Sequence, residues 1–125
     1  MAGTAAPSSA TLTPINDTKL VKAILTAISD LDQSDLRRLG GWAPLEEISS
    51  ATLFDGIEGS PSGVFAVGDS TGFEVSGTVY VTLQYGGGRD GSWVGDSYPA
   101  LVRGKFHDKR IEIESVTVDN SSFYE

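Results

Sequence analysis

Cysteine is absent from this chain of 125 residues, histidine occurs once, and no apolar run is long. Without cysteine there can be no disulfide, no thiolate nucleophile and no thiolate metal ligand. Without about 20 consecutive apolar residues there is no helical membrane span. Positive charge is scarce as well. Nine Lys and Arg stand against 17 Asp and Glu, which gives a formal charge of −8 and a sequence pI near 4.4. Such a surface is repelled by phosphate backbones and anionic lipid, so direct nucleic-acid and membrane contacts are not expected; a protein partner is, and the charge permits a basic one. The missing cysteine fits a reducing, cytoplasmic setting.

The shortage extends to catalytic groups. His107 lies beside an expected hairpin turn and is read as a solvated imidazole; no Gly-x-Ser-x-Gly elbow precedes a helix, so a Ser-His-Asp triad is rejected. The run Gly86-Gly87-Gly88 before Arg89 lacks the Lys-Ser/Thr pair and the following helix of a phosphate-binding loop. Carboxylates are plentiful, which leaves a two-carboxylate or Mg²⁺-assisted hydrolase open as an alternative. Asp69, Asp90 and Asp96 fall at turns, however, where aspartate serves local hydrogen bonding, and no EF-hand spacing occurs. No catalytic residue, metal ligand or cofactor is assigned.

What the chain does have is a long alternation. From Phe73 to Tyr85 one parity reads Phe, Val, Gly, Val, Val, Leu, Tyr and the other Glu, Ser, Thr, Tyr, Thr, Gln. Period 2 over this length predicts a β-strand with one face in a core. The length suits one domain. Residues 1–13 are small, polar and without a signal-peptide pattern; they are expected to form a disordered tail or a linker to something upstream, with a single domain over 14–125.

Leu20, Val21, Ile24, Leu25, Ile28 and Leu31 recur at helical spacing after Asn16 or Asp17 as N-cap. A second helix over 35–39 is expected with Ser34 as cap and Gly40-Gly41 as stop, and a third over about 45–51 after Pro44. A Gly/Ser/Pro-rich crossing over 55–63 precedes strand 64–67, which is expected to pair with 73–85, Ala66 opposite Val75 and Gly77 opposite Val64. A missing side chain at Gly77 suggests a bulge or the close approach of a helix. Strands 98–106 and 110–118 follow. Pairing His107 with Arg110 sets Lys105 opposite Glu112 and Arg103 opposite Glu114, two opposite-charge pairs from one register. The fold class is therefore α+β, N-terminal helices packed on a four-stranded antiparallel meander.

The same register puts Leu101 beside Val116 and Pro99 beside Val118 on the charged outer face, an apolar strip open to a partner or to a cap formed by Phe123, Tyr124 or Trp93. The long connection 86–97 carries Arg89 and Trp93, residue types enriched in binding hot spots. Arg89, Trp93, Leu101, Val116 and Val118 are thus the candidate partner-binding residues. Trp93 is either a recognition residue or a lid over Leu101 and Val116.

The segments Gly77-Thr-Val-Tyr-Val-Thr-Leu-Gln-Tyr-Gly86, Asp96-Ser-Tyr-Pro99 and Val118-Asp-Asn-Ser-Ser-Phe-Tyr-Glu125 resemble a C-terminal β module that follows nuclease-like domains, PIN-like ones included, in bacterial proteins. The resemblance implies an accessory module and no substrate. Upstream nuclease acids are missing, so nuclease activity is not carried over. The leading expectation is a non-enzymatic binding or regulatory module related to accessory domains of bacterial defence or toxin systems. Its alternatives are an acidic inhibitor that mimics nucleic acid and the carboxylate-dependent hydrolase.

Overall fold

Alternating polar and apolar residues build an antiparallel sheet whose apolar side is roofed by helices. The structure, a computed structural model, describes residues 11–49, 51–68, 71–85, 91–107 and 110–124. The strands are β1 (Leu12–Pro14), β2 (Thr52–Val67), β3 (Gly72–Tyr85), β4 (Ser92–His107) and β5 (Arg110–Val118). They lie in sequence order, each antiparallel to the next. Three helices, α1 (Thr18–Ser29), α2 (Gln33–Leu39) and α3 (Ala43–Glu46), connect β1 to β2, and a 3₁₀ turn (Ser121–Tyr124) ends the described chain. The class is α+β, with five strands rather than four. The additional one begins at Leu12 and Thr13, which the sequence reading put in the tail; Pro14 is tolerated there because β1 is an edge strand. The rest of that tail, 1–10, lies outside the described residues.

The helices form where their caps dictate. Asp17 accepts from the backbone N–H groups of Lys19 and Leu20 and starts α1, whose Ile24 and Ile28 are fully buried. α1 packs on β2 and reaches β5. For α2 the cap is Asp32 rather than Ser34: Asp32 and Asp35 form a reciprocal capping box. The Asp32 backbone N–H, with help from the Arg38 guanidinium, holds the Asp35 carboxyl below its ordinary range. Gly40 stops α2 in the left-handed conformation, at φ 95°. α3 ends at Glu46, shorter than expected.

β3 is the centre of the core. Phe73, Val75, Val79, Val81 and Leu83 are buried under the helices, as the alternation predicts, with Tyr98, Ala100 and Val102 of β4 beside them. Strand β2 was legible only at its end. It runs through the whole supposed crossing, but bulges between Phe54 and Gly56 and between Gly59 and Val64 break its period. The second bulge also moves the register by two residues, to Val64 opposite Val75 and Ala66 opposite Phe73. Gly77 faces Gly59 instead of Val64, beside the second bulge, and the helix that was expected to approach Gly77 approaches Gly59 instead. A Cβ on Gly77 would strike the carbonyl oxygen of Glu58, and one on Gly59 would lie 2.8 Å from the Leu25 side chain of α1.

The hairpin register between β4 and β5 holds near its turn, with His107 opposite Arg110 and Lys105 opposite Glu112. It then shifts between Arg103 and Gly104: Gly104 faces Ile113 while Arg103 faces Ser115, so Glu114 is extra. Every later pair moves by one. Arg103 is not opposite Glu114, Leu101 faces Thr117, and Val102 faces Val116. A one-residue slip exchanges the two faces of a strand. Val116 and Val118 therefore lie in the core, 2% and 6% exposed, not on the outer face.

The bulge also redirects the ion pairs. Lys105 Nζ reaches Glu114 at 3.6 Å, Arg103 Nε reaches Glu74 at 3.1 Å, and His107 Nε2 is 3.8 Å from Glu112. A double-mutant cycle on Lys105 and Glu114 is expected to give a coupling of about 0.2–1 kcal/mol, the range for exposed pairs, and to exceed the coupling of Lys105 with Glu112. The reverse order would place the bulge elsewhere.

Candidate functional site

The helices cover one side of the sheet and leave the other to solvent. On β3 that open face carries Glu74, Ser76, Thr78, Tyr80, Thr82 and Gln84, the polar parity of the alternation. On β4 the partners of these residues are Arg103, Leu101, Pro99, Ser97, Gly95 and Trp93 in turn.

This face has two unlike ends. At one end Arg103 is paired with Glu74 and Lys105 with Glu114, and His107 lies beside Glu112. At the other end three large apolar side chains are exposed, Leu53 at 51%, Tyr80 at 39% and Trp93 at 49%. Leu53 is opposite Thr82, and Thr82 opposite Gly95, so on β3 and β4 the row between Tyr80 and Trp93 carries only a threonine and a glycine. Two carboxylates stand in this end. Asp55 is the residue inserted by the first bulge of β2, and its Oδ2 accepts the Thr82 hydroxyl at 2.5 Å. Glu58 Oε1 accepts the Tyr80 hydroxyl at 2.5 Å. Neither carboxylate is in an ion pair with a described cation. A bulge commonly re-aims a side chain, and these hydroxyls hold both carboxylates in place. A shallow cavity of about 390 Å³ lies here, lined by Asp55, Tyr80, Val81, Gly95, Asp96 and Ser97.

The hydrogen bond to Glu58, followed by desolvation and the negative charge of Glu58, raises the Tyr80 phenol above its ordinary 10.0. Because the folded value is the higher one, this contact stabilises the fold below about pH 10 and is lost as pH rises through the folded value. Glu58→Gln is expected to lower the pH at which Tyr80 ionises, read as phenolate absorbance against Tyr80→Phe. An unchanged titration would mean that the contact is not held in solution.

Of the residues singled out by sequence, Trp93 is on the open face and half exposed. It sits in β4, not in a loop; of the expected connection 86–97 only 86–90, Arg89 among them, lies outside the described residues. Leu101 shares its face but is eight residues along β4, roughly 26 Å away at about 3.3 Å per residue. Val116 and Val118 are on the opposite side, so Trp93 is not a lid over Val116. The five do not converge. What sequence reasoning missed is the rest of this face: Leu53, Asp55, Tyr80 and, opposite Thr78 nearer its middle, Glu58. Tyr80 was visible as an outward position of β3, but the other three were hidden in the supposed crossing.

Among the described residues, no three or more His, Asp or Glu side chains are grouped so as to hold a metal ion. No helix among them is long and apolar enough to cross a membrane.

Residues 17–124 match a family described as predicted pPIWI-associating nuclease. The chain belongs to that family. No curated protein and no solved structure matches it. The family match starts at Asp17, the cap of α1, and takes in the three helices together with β2 to β5, whereas the resemblance seen in the sequence covered only the C-terminal half. The helical roof and the open-faced sheet are thus one family unit.

Proposed function

We propose that this chain is a non-enzymatic docking module of a bacterial defence system, and that it binds a protein partner through the open face of its sheet. The observation that carries the reading is the exposure of Leu53, Tyr80 and Trp93 together on a sheet face that no described element covers. Clusters of large apolar side chains on an open face commonly mark interaction sites. The family description supplies a partner class, since its members are described as associating with pPIWI.

Calorimetric titration of the chain with the pPIWI protein of its own host tests this. The wild type is expected to bind, and Thr78→Arg, which puts a bulky charge in the middle of the open face, to weaken binding at least tenfold without changing the fold. Undetectable binding by the wild type, or full affinity in Thr78→Arg, would overturn the reading.

A second reading takes the word nuclease in the family description literally and is favoured by Asp55 and Glu58, two carboxylates on one face that have no ionic partner among the described residues. Its test is incubation with RNA and DNA in Mg²⁺ or Mn²⁺. Cleavage that is lost in Asp55→Asn would establish catalysis and displace the docking module. The mimicry of nucleic acid has less support, because Glu74 and Glu114 of the open face are paired with Arg103 and Lys105 instead of being gathered as a bare acidic surface.

A further inference from the structure

We infer that the protein partner adds an extended segment as a further strand along the edge of β4 at residues 92–97, a mode of contact that rests on the docking reading above. β4 outruns the strand that follows it. β5 pairs with it only from Ala100 to His107, and beyond Val118 the chain turns toward the helices, where the Asn120 amide donates to the Pro44 carbonyl and the Glu47 carboxylate. Among the described residues no strand lies on that side of 92–97, and all six are exposed. The backbone there is set to pair. The Asp119 N–H donates to the Pro99 carbonyl at 3.0 Å, so the peptide groups of Pro99 point away from β3; that orientation recurs at every second residue, and β4 meets β3 without a bulge. Ser97, Gly95 and Trp93 therefore point the same way. The Ser97 N–H is taken by Asp96 Oδ1 at 2.8 Å, which leaves the N–H and C=O groups of Trp93 and Gly95 and the Ser97 carbonyl without partners among the described residues.

Sheets usually guard such edges with bulges, charges or proline. The other edges of this sheet are guarded. β2, paired with β1 only at 65–67, is broken by bulges at Asp55 and at 60–63, and β5 carries Arg110, Glu112 and the inserted Glu114. Residues 92–97 have no bulge, no Lys or Arg and no Pro. They expose Trp93 on the open face and Val94, 45% exposed, on the helix side, where it stands opposite the buried Leu83. Both sides of the edge are thus apolar, and the segment that fits it carries β-branched or aromatic residues at successive positions. Its contact with Trp93 continues onto the open face. A second copy of this chain is the poorer occupant, because two molecules of formal charge −8 repel one another.

The experiment is calorimetric titration of the pPIWI protein into two variants at one position. Gly95→Pro removes an outward N–H and spares the ladder with β3, as Pro99 does in the same strand, whereas Gly95→Val keeps the N–H and adds a side chain whose Cβ would meet nothing within 4 Å. The Pro variant is expected to bind at least about 10-fold more weakly than the Val variant, the effect of one lost hydrogen bond whose acceptor stays unpaired. Amide exchange in the wild type gives a second readout that needs no variant to fold: the Gly95 amide is expected to exchange at least about 10-fold more slowly in the complex than in the free chain. Equal affinities of the two variants, or a Gly95 amide left unprotected in the complex, would overturn the inference. So would a dimer of the chain alone that Gly95→Pro abolishes, since the edge would then belong to a second copy. If the pPIWI protein binds and Thr78→Arg blocks it while the two Gly95 variants bind alike, strand addition falls and the docking reading stands. If the pPIWI protein does not bind at all, both fall.

Discussion

Gly104→Val is expected to lower the stability of the fold by about 3 kcal/mol, the upper part of the range for overpacking a core, and the melting temperature by roughly 10 °C. Gly104 is buried at the β4–β5 bulge. A Cβ there would strike the carbonyl oxygen of Glu112 and come within 2.6 Å of the Phe73 ring, which itself stacks on Phe106. Neither obstacle gives way easily: one is backbone in a ladder, the other a buried ring. Gly95→Val in the same strand is the internal comparison, since it meets nothing. Thermal denaturation of both variants checks the pair of expectations, and equal melting temperatures would contradict the bulge geometry that puts Val116 and Val118 into the core.

The second large effect concerns the two tryptophans, which the structure places in opposite circumstances. Trp42 is 2% exposed and packs edge-on against Phe54 at 6.4 Å, so Trp42→Ala is expected to cost about 3–5 kcal/mol of stability. Trp93 is 49% exposed on the open face, and Trp93→Ala is expected to cost less than about 1 kcal/mol, as for an exposed site. Its effect falls on binding. Truncating an aromatic hot spot typically removes about 2 kcal/mol or more of affinity, roughly 30-fold. Denaturant unfolding and calorimetry with the pPIWI protein separate the two quantities. A Trp93→Ala protein that unfolds like Trp42→Ala would make Trp93 structural, and one that keeps full affinity would remove it from the site.

The sequence was most informative where the chain is regular. β3 lies between two neighbours along its whole length with one side roofed, so its buried positions recur from Phe73 to Leu83 with only the half-buried Gly77 between them. Asp17 and Gly40 were legible because capping is local chemistry. Bulges concealed the rest. In β2 the inserted Asp55 puts Phe54 and Ile57, both facing the helices, three positions apart, and residues 60–63 together oppose Ser76 alone, so neither stretch alternates. In β5 the extra Glu114 sends Val116 and Val118 inward, where an unbroken register would send them out. The first half of β4 escaped notice for another reason: residues Ser92 to Ser97 are all exposed, so neither parity is marked as apolar. The candidate site lies largely in those obscured segments. Only Trp93 announced itself, by residue type, and the strands that set Leu53, Asp55, Glu58 and Tyr80 on the same face became visible with the sheet.

The most direct test of the docking face uses the fact that the chain has only two tryptophans. A ¹⁵N-labelled sample gives one indole signal from each, Trp42 under the helices and Trp93 on the open face. On addition of the unlabelled pPIWI protein, the Trp93 signal is predicted to shift or broaden at substoichiometric ratios, with the Trp42 signal following only the slower tumbling of the complex. A complex that forms with the Trp93 signal unmoved would place the partner elsewhere on the molecule and contradict the open sheet face as the binding surface.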